Sequence, residues 1–314
     1  MSNERVEELA CPFCGTRGPV PRYRFGSVSI VRCRSCRLMW LHPMPRLDDL
    51  RQVYGDAYFS NAGLLQQAEA HIYGYVDYIA ERINKQYGYV ALVGETRAAL
   101  VREGSLPMEG KPRWMDVGCG FGYLLDVAFD QGFAVSGLEF NRHAVEYVRS
   151  KYTYDVREGT IADLPRGDRY HVISLLDVVE HLHDPFSDLR RLRHWIHDGG
   201  RLLILTMDSD SLVSRLLGKR LEDFRRIREH LFFFSRRSLG AVLDACGWEV
   251  VSVASVGHTF EVGMLLDRLS SMAPRLARVL RALVRPRWLL KANIYVNPMT
   301  KMLVTARPRG QGSE

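Results

Sequence analysis

The run "WMDVGCGFGYLL", residues 114–125, decides how the rest of the chain is read. A short apolar stretch carrying one acid, Asp116, meets glycines at 118, 120 and 122, and apolar residues resume at once. From this turn onward the pattern alternates. "RWMDVG" reads as a strand and 121–131 as a helix, "FAVSGLEF" as a strand and 141–151 as a helix with an asparagine start. "YDVREG" is a weak strand and "YHVISLLD" a strong one; 185–197 reads as a helix stopped by Gly199–Gly200, followed by the strand "RLLILTM". A helix over 235–246 ends at Gly247, and "WEVVSVASV" and "MTKMLVTARP" close the series as strands. Strands alternating with helices of this length predict an α/β protein with a doubly wound, mostly parallel sheet.

Glycine-rich turns after a first strand cradle either a dinucleotide pyrophosphate or the methionine end of S-adenosylmethionine. The dinucleotide pattern needs a third glycine where this chain has Tyr123, and its own third glycine is Gly122. Asp116 also opposes a pyrophosphate but suits a cationic ammonium, so electrostatics favour S-adenosylmethionine over NAD. Glu139, at the end of the second strand, is placed for the two ribose hydroxyls of either ligand. Asp163 in "GTIADLP" is placed for an adenine amino group, with Leu164 over the ring; its competing role is to form the turn before Leu-Pro.

The first 36 residues hold Cys11, Cys14, Cys33 and Cys36 as two CxxC pairs, a spacing suited to one four-thiolate zinc ion. Tyr23, Phe25, Val28, Ile30 and Val31 alternate as a short hairpin between the pairs would. So small a unit cannot bury a core of its own, and the metal would supply its folding energy. Cys119 and Cys246 read as a small residue between glycines and a buried core position. The net charge is +7, yet Met264–Glu314 carries ten Lys/Arg against two Asp/Glu, leaving a near-neutral body with a basic tail region. That balance does not favour nucleic acid on the main domain. The opening residues show no secretory signal and no apolar run reaches a bilayer span, so a cytoplasmic location is expected.

On "DVGCGFG", "GLEFN", "GTIADLP", "LLDVVEHLHDP" and "REHLFFFSRRSLGAVLDACGWEV", in this order over roughly 113–256, the chain resembles class I S-adenosylmethionine-dependent methyltransferases. More narrowly it is similar to bacterial methyltransferases with an N-terminal zinc ribbon, some of which act on nucleotide-linked sugars. The resemblance implies a Rossmann-like fold with a seven-stranded sheet. It divides the chain into a ribbon (1–45), a connector and helical segment (46–112), and a methyltransferase domain (113–308) with a helical lid or insertion at 257–297 and a short tail. It also implies that Gly118, Gly120 and Gly122 wrap the methionine part near Asp116. Glu139 would hold the ribose, Phe140 lie against the adenine, Asp163 and Leu164 frame it, and Asp177 line the floor beneath the methyl group. One departure is Arg37, which stands where the second knuckle of this pattern has glycine.

Methyl transfer needs a positioned acceptor and, for some acceptors, a base. "DVVEHLHDP" offers Asp177, Glu180, His181 and His183, and "REHLFFFS" offers Glu229 and His230, all at the carboxyl edge of the sheet. His181 first and His230 second are the expected bases. Three readings of the function stand beside one another: a methyltransferase for a small or carbohydrate-like, anionic acceptor; an RNA methylase guided by the basic, aromatic ribbon; and a binding protein that keeps the fold. The basic helix near 275–291 places Leu276, Val279, Leu280 and Leu283 on one face, fitting a lid or dimer contact, an anchor for an anionic acceptor, or a membrane surface.

Overall fold

The computed structural model describes residues 8–47, 49–50, 81–165, 167, 169–263, 266–267, 270, 274–284 and 287–310. Much of the connector and helical segment read at 46–112 lies outside them. Near the N-terminus, strands β1 (Val20–Phe25) and β2 (Val28–Arg32) form a hairpin, and β3 (Met39–His42) pairs with β2. Gly26 supplies the positive φ, 57°, that a two-residue hairpin turn requires.

A helix, α1 (Glu81–Arg102), runs unbroken through Gly88 and Gly94. Strand β4 (Arg113–Val117) then opens the main sheet, followed by α2 (Tyr123–Asp130), β5 (Ala134–Glu139), α3 (Arg142–Lys151), β6 (Asp155–Glu158) and β7 (Tyr170–Leu176). Helix α4 (Pro185–Leu192) leads to β8 (Ile196–Met207). Here the structure differs from the sequence reading. The helix stops at Leu192, and Gly199–Gly200 lie inside the strand as it passes the irregularity opposite Tyr170–Val172. Gly200 is required there because a Cβ would meet the carbonyl oxygens of His197 and His171 at 2.9 and 3.0 Å.

Short helices α5 (Leu212–Leu217) and α6 (Glu222–Arg225) precede β9 (Phe232–Phe233). Helix α7 (Arg236–Ala245), capped by Ser235, leads to β10 (Trp248–Glu261). After α8 (Pro274–Leu283) and α9 (Arg287–Leu290), β11 (Asn293–Pro308) returns. The seven-stranded sheet runs β10-β11-β8-β7-β4-β5-β6, with β11 antiparallel to both neighbours and the pairs from β8 to β6 parallel. The order reverses beside β4, so the carboxyl ends of β4 and β7 flank the crevice where open α/β sheets bind ligands.

The insertion read as helical at 257–297 is partly strand. β10 and β11 continue their pairing outward, from His258↔Val296 to Glu261↔Asn293, and α8 and α9 hang from this extension. The apolar stripe of α8 is not the buried face: Leu276 and Val279 are exposed and Ala277 is buried. Among the described residues no helix is long and apolar enough to cross a membrane.

The N-terminal hairpin has no core of its own. Ile30, Val31, Cys33, Leu38 and Trp40 share one apolar cluster with Leu175, Leu189 and Trp248 of the main sheet and its helices. The small sheet is completed by β9, with Met39 opposite Phe233 and Trp40 opposite Phe232, antiparallel. Phe13, between the first two cysteines, stacks on Phe186 at 5.5 Å, and Tyr23 packs on Phe224 at 4.9 Å. Arg32 and Arg37 reach Asp210 at 3.9 and 3.6 Å.

Candidate active site

Asp116 is buried on β4. The Trp114 indole N–H donates to Ser174 Oγ at 2.8 Å, and the Ser174 hydroxyl donates to Asp116 Oδ1 at 2.6 Å. Burial pushes the Asp116 carboxyl up to about 7 against the help of Ser174, with the Glu139 charge adding to the rise. The glycine loop bends back onto β5: the Gly118 and Cys119 N–H groups both donate to the Leu138 carbonyl at 2.7 and 3.2 Å. Gly118 has φ 73°, and a Cβ there would lie 2.4 Å from Val178 Cγ2, so only glycine fits.

Glu139 is pinned from both sides. Gly120 N–H donates to its Oε2 and Asn141 N–H to its Oε1, each at 2.8 Å. Gly159 N–H donates to the Glu139 carbonyl at 2.9 Å, which brings the "GTIADLP" turn to the same edge. Asp163 Oδ2 accepts from Thr160 N–H and Oγ1–H at 2.8 and 2.7 Å, so one of its carboxylate oxygens serves its own turn. Phe140 is 37% exposed and Leu164 buried. The glycine loop, Glu139, Phe140, Asp163 and Leu164 thus meet at one end of the crevice. The residues fit S-adenosylmethionine: a turn of glycines at positive φ that brings bare backbone to the strand ends, a buried carboxylate for an ammonium, and a pinned carboxylate beside it.

The other end gathers Asp177, Glu180, His181 and His230. Asp177 follows β7 with φ 56°, a conformation that non-glycine residues adopt only where their surroundings impose it, and Lys301 of β11 donates to its Oδ1 at 2.5 Å. The two histidine rings meet edge to face with centroids 4.8 Å apart. Each uses Nδ1 on a backbone carbonyl at 3.0 Å, His181 on Glu229 O and His230 on Asp223 O. A carbonyl only accepts, so each Nδ1 carries the proton and each Nε2 the lone pair. Burial holds His181 down to about 4 and His230 well below its ordinary range, so both imidazoles are neutral. Burial, then the Asp177 charge, pushes Glu180 up to about 8. Glu229, an alternative base in the sequence, pairs with Arg226 at 2.6 Å.

The four ribbon thiols converge. Cys11 Sγ lies 3.6 Å from Cys36 Sγ, and Cys14 Sγ 3.5 Å from Cys33 Sγ. A zinc tetrahedron with Zn–S near 2.3 Å has edges of about 3.8 Å, so the thiols fit zinc with little movement. Arg37 meets the demand of the glycine position by adopting φ 65° itself.

Comparison with known proteins accords with this geometry. The family profile described as a methyltransferase domain matches residues 86–253. The chain belongs to that methyltransferase family. The ubiquinone biosynthesis O-methyltransferase of Aeromonas salmonicida is 30% identical over 174 residues, covering 49% of this chain and 72% of that protein. A protein of Mycolicibacterium smegmatis, named as a probable S-adenosylmethionine-dependent methyltransferase, is 28% identical over 146 residues, and the chain spans about half (54%) of its length. The crystal structure of magnesium protoporphyrin IX methyltransferase from Synechocystis PCC 6803 with bound SAH shares the fold. It matches at a TM-score of 0.50 and 17% identity, covering 84% of this chain and 100% of that one.

Two groups of this methyltransferase escaped the sequence reading. Ser174 sits in the middle of an apolar strand, and nothing in "YHVISLL" marks it as the partner of Asp116. Lys301 opens the last apolar run, where a lone lysine on an inner strand is a weak signal of a buried partner. The Asp116 network carries a pH prediction. An ammonium requires the carboxylate form, whereas below about 7 the unliganded Asp116 is protonated. Ligand binding therefore expels a proton, and affinity for S-adenosylmethionine is expected to fall by up to about tenfold per pH unit below that point. For the unliganded fold the sign is opposite: the raised pKa gives stability that is full at acidic pH and is lost as pH rises through about 7. Calorimetric titration between acidic and alkaline pH checks both, and Asp116→Asn should flatten the binding profile.

Proposed function

We propose that this protein transfers a methyl group from S-adenosylmethionine to a small or carbohydrate-like, anionic acceptor, such as a nucleotide sugar, glycan or natural-product intermediate. The observation that carries this reading is the pair of neutral histidines set at the same sheet edge as the glycine cradle. The donor, when bound, supplies a methyl on an already activated sulfonium. The protein then has to hold the acceptor in line and deal with its proton. Asp116, the glycine loop and Glu139 would fix the donor, and Asp177 would floor the space between donor and acceptor. The Nε2 lone pairs of His181 and His230 face the task of making the acceptor nucleophilic.

A cavity of about 390 Å³ lies between the end of β3 and Ile227–Arg228. Its walls are Val28, Leu41, Met44 and Leu50, with Arg46, Asp49 and Arg228 as the charged groups, so it offers an acceptor charges of both signs. The arrangement of the ribbon weighs against RNA. Tyr23 is packed on Phe224, Arg34 Nε donates to the Gly18 carbonyl at 2.7 Å, and Arg32 and Arg37 face Asp210. Base stacking needs an open aromatic face, which Tyr23 does not offer.

The test is thermal stabilisation by S-adenosylhomocysteine compared with NAD. At about 100 Kd of ligand the fold should gain about 2.7 kcal/mol from the former and nothing from the latter. Stabilisation by NAD alone would sink the proposal. Labelled methyl transfer to panels of nucleotide sugars, lipids and RNA then names the acceptor class.

A further inference from the structure

Beyond the ribbon thiols, the described residues hold a second set of potential metal ligands. Glu180, His181 and His230 each bring one ligating atom to within 4.8 Å of the other two. Ions held at about 2.0–2.2 Å by nitrogen and oxygen need ligand atoms roughly 3–3.5 Å apart, so side-chain rotation closes the set. The histidines are already dressed as ligands. A metal-bound imidazole gives its other N–H to a carbonyl or carboxylate, and both Nδ1–H groups here are so engaged.

The carboxylate supplies the independent sign. Glu180 is 1% exposed, and its Oε2 lies buried with no hydrogen-bond partner. A buried carboxylate oxygen without a partner is costly, and a cation would relieve it. Lys301 bonds Asp177 and Arg226 bonds Glu229, and the Lys301 charge and the Thr206 hydroxyl offset only part of the cost of burying Glu180. The segments bearing the three residues are also locked together, since the Glu180 carbonyl accepts from both Leu231 and Phe232 N–H at 2.9 and 3.2 Å.

We propose that Glu180, His181 and His230 form a divalent-cation site at the acceptor end of the crevice, separate from the four-cysteine cluster. Two imidazole nitrogens and one carboxylate oxygen suit zinc, manganese, cobalt or ferrous iron rather than calcium or magnesium. Three protein ligands leave positions open on the ion for an acceptor oxygen. The role rests on the methyltransferase reading: an ion there would lower the pKa of a bound acceptor hydroxyl, which then loses its proton to solvent and attacks as the oxyanion.

The experiment uses the full chain, stripped of metal and reloaded with one equivalent of zinc for the thiolates. Manganese is then titrated by calorimetry and by electron paramagnetic resonance, with cobalt absorption as a second probe, since cobalt at this site lacks the thiolate charge-transfer bands that it would show in the ribbon. One manganese per chain is expected. Glu180→Gln and His181→Ala should each weaken it by about 10-fold or more, with circular dichroism and ribbon zinc unchanged. No uptake of millimolar manganese or cobalt beyond the ribbon equivalent, or equal uptake by Glu180→Gln, overturns the site. S-adenosylhomocysteine binding is measured on the same samples. Its presence without a second cation removes this site alone, whereas its absence removes the methyltransferase reading.

Discussion

Keeping metal from the four ribbon thiols, or replacing Cys33 with serine, is expected to abolish acceptor methylation while S-adenosylhomocysteine still binds. The reason lies in the chain path from thiol to histidine. Cys33 N–H donates to the Leu38 carbonyl at 2.9 Å, and one residue further β3 begins. Leu41 N–H donates to the Leu231 carbonyl at 2.9 Å, and Trp40 faces Phe232. Leu231 adjoins His230 directly. Loss of a zinc ion held by the four thiols would remove the binding free energy that ties the knuckles together, on the order of 10 kcal/mol in small zinc units. The strand that fixes residues 231–233 then loosens. A displacement of about 1 Å at a reacting group can cost about 100-fold in rate. The donor cradle stands apart from this path, hung on β4 and β5. Hydrogen exchange at Leu231–Phe233, donor titration and labelled methyl transfer measure the three parts separately. A stripped protein that methylates at full rate would show the ribbon to be idle.

His181→Ala is expected to lower kcat by about 10²- to 10⁴-fold with affinity for the donor unchanged, since it removes either the base for the acceptor proton or a ligand of the cation that would acidify that proton. His230 is buried at 1% exposure and bonded to Asp223, so its replacement by alanine would leave a hole as well as remove a lone pair. His230→Asn keeps much of the volume and tests the chemistry more cleanly. Rates and donor dissociation constants measured together decide the matter: a fall in rate with weakened donor binding would mean structural damage. An unchanged rate in both variants would remove these residues from the reaction.

The alternation of strands and helices after residue 113 was legible because buried parallel strands are near-continuous apolar runs. The glycine loop was legible because Gly118 must hold positive φ, a demand of its own backbone, whereas its close approach to Val178 of a distant segment was not. The two CxxC pairs spoke for themselves through spacing. What could not be read were pairings between distant segments. β9 has only two residues, Phe232–Phe233, too short for any periodicity, yet it joins the ribbon to the body. Ser174 and Lys301 acquire meaning only through partners 58 and 124 residues away. Asp163 illustrates competition at one residue, since the same carboxylate that suits an adenine amino group also caps its own turn. The glycine pair at 199–200 misled because glycine marks helix ends and strand irregularities alike.

The register between β3 and β9 fixes more than a contact. Side chains along a strand alternate faces, so a slip of one residue would turn Trp40 and Met39 inside out relative to Phe232 and Phe233. The distance in sequence from Cys36 to Met39 is therefore set by two masters, the tetrahedron of thiols at one end and the placement of His230 at the other. A one-residue insertion in the knuckle could still bind metal and yet silence the enzyme. Exchanging this ribbon for that of another protein should succeed only when residues 231–233 travel with it.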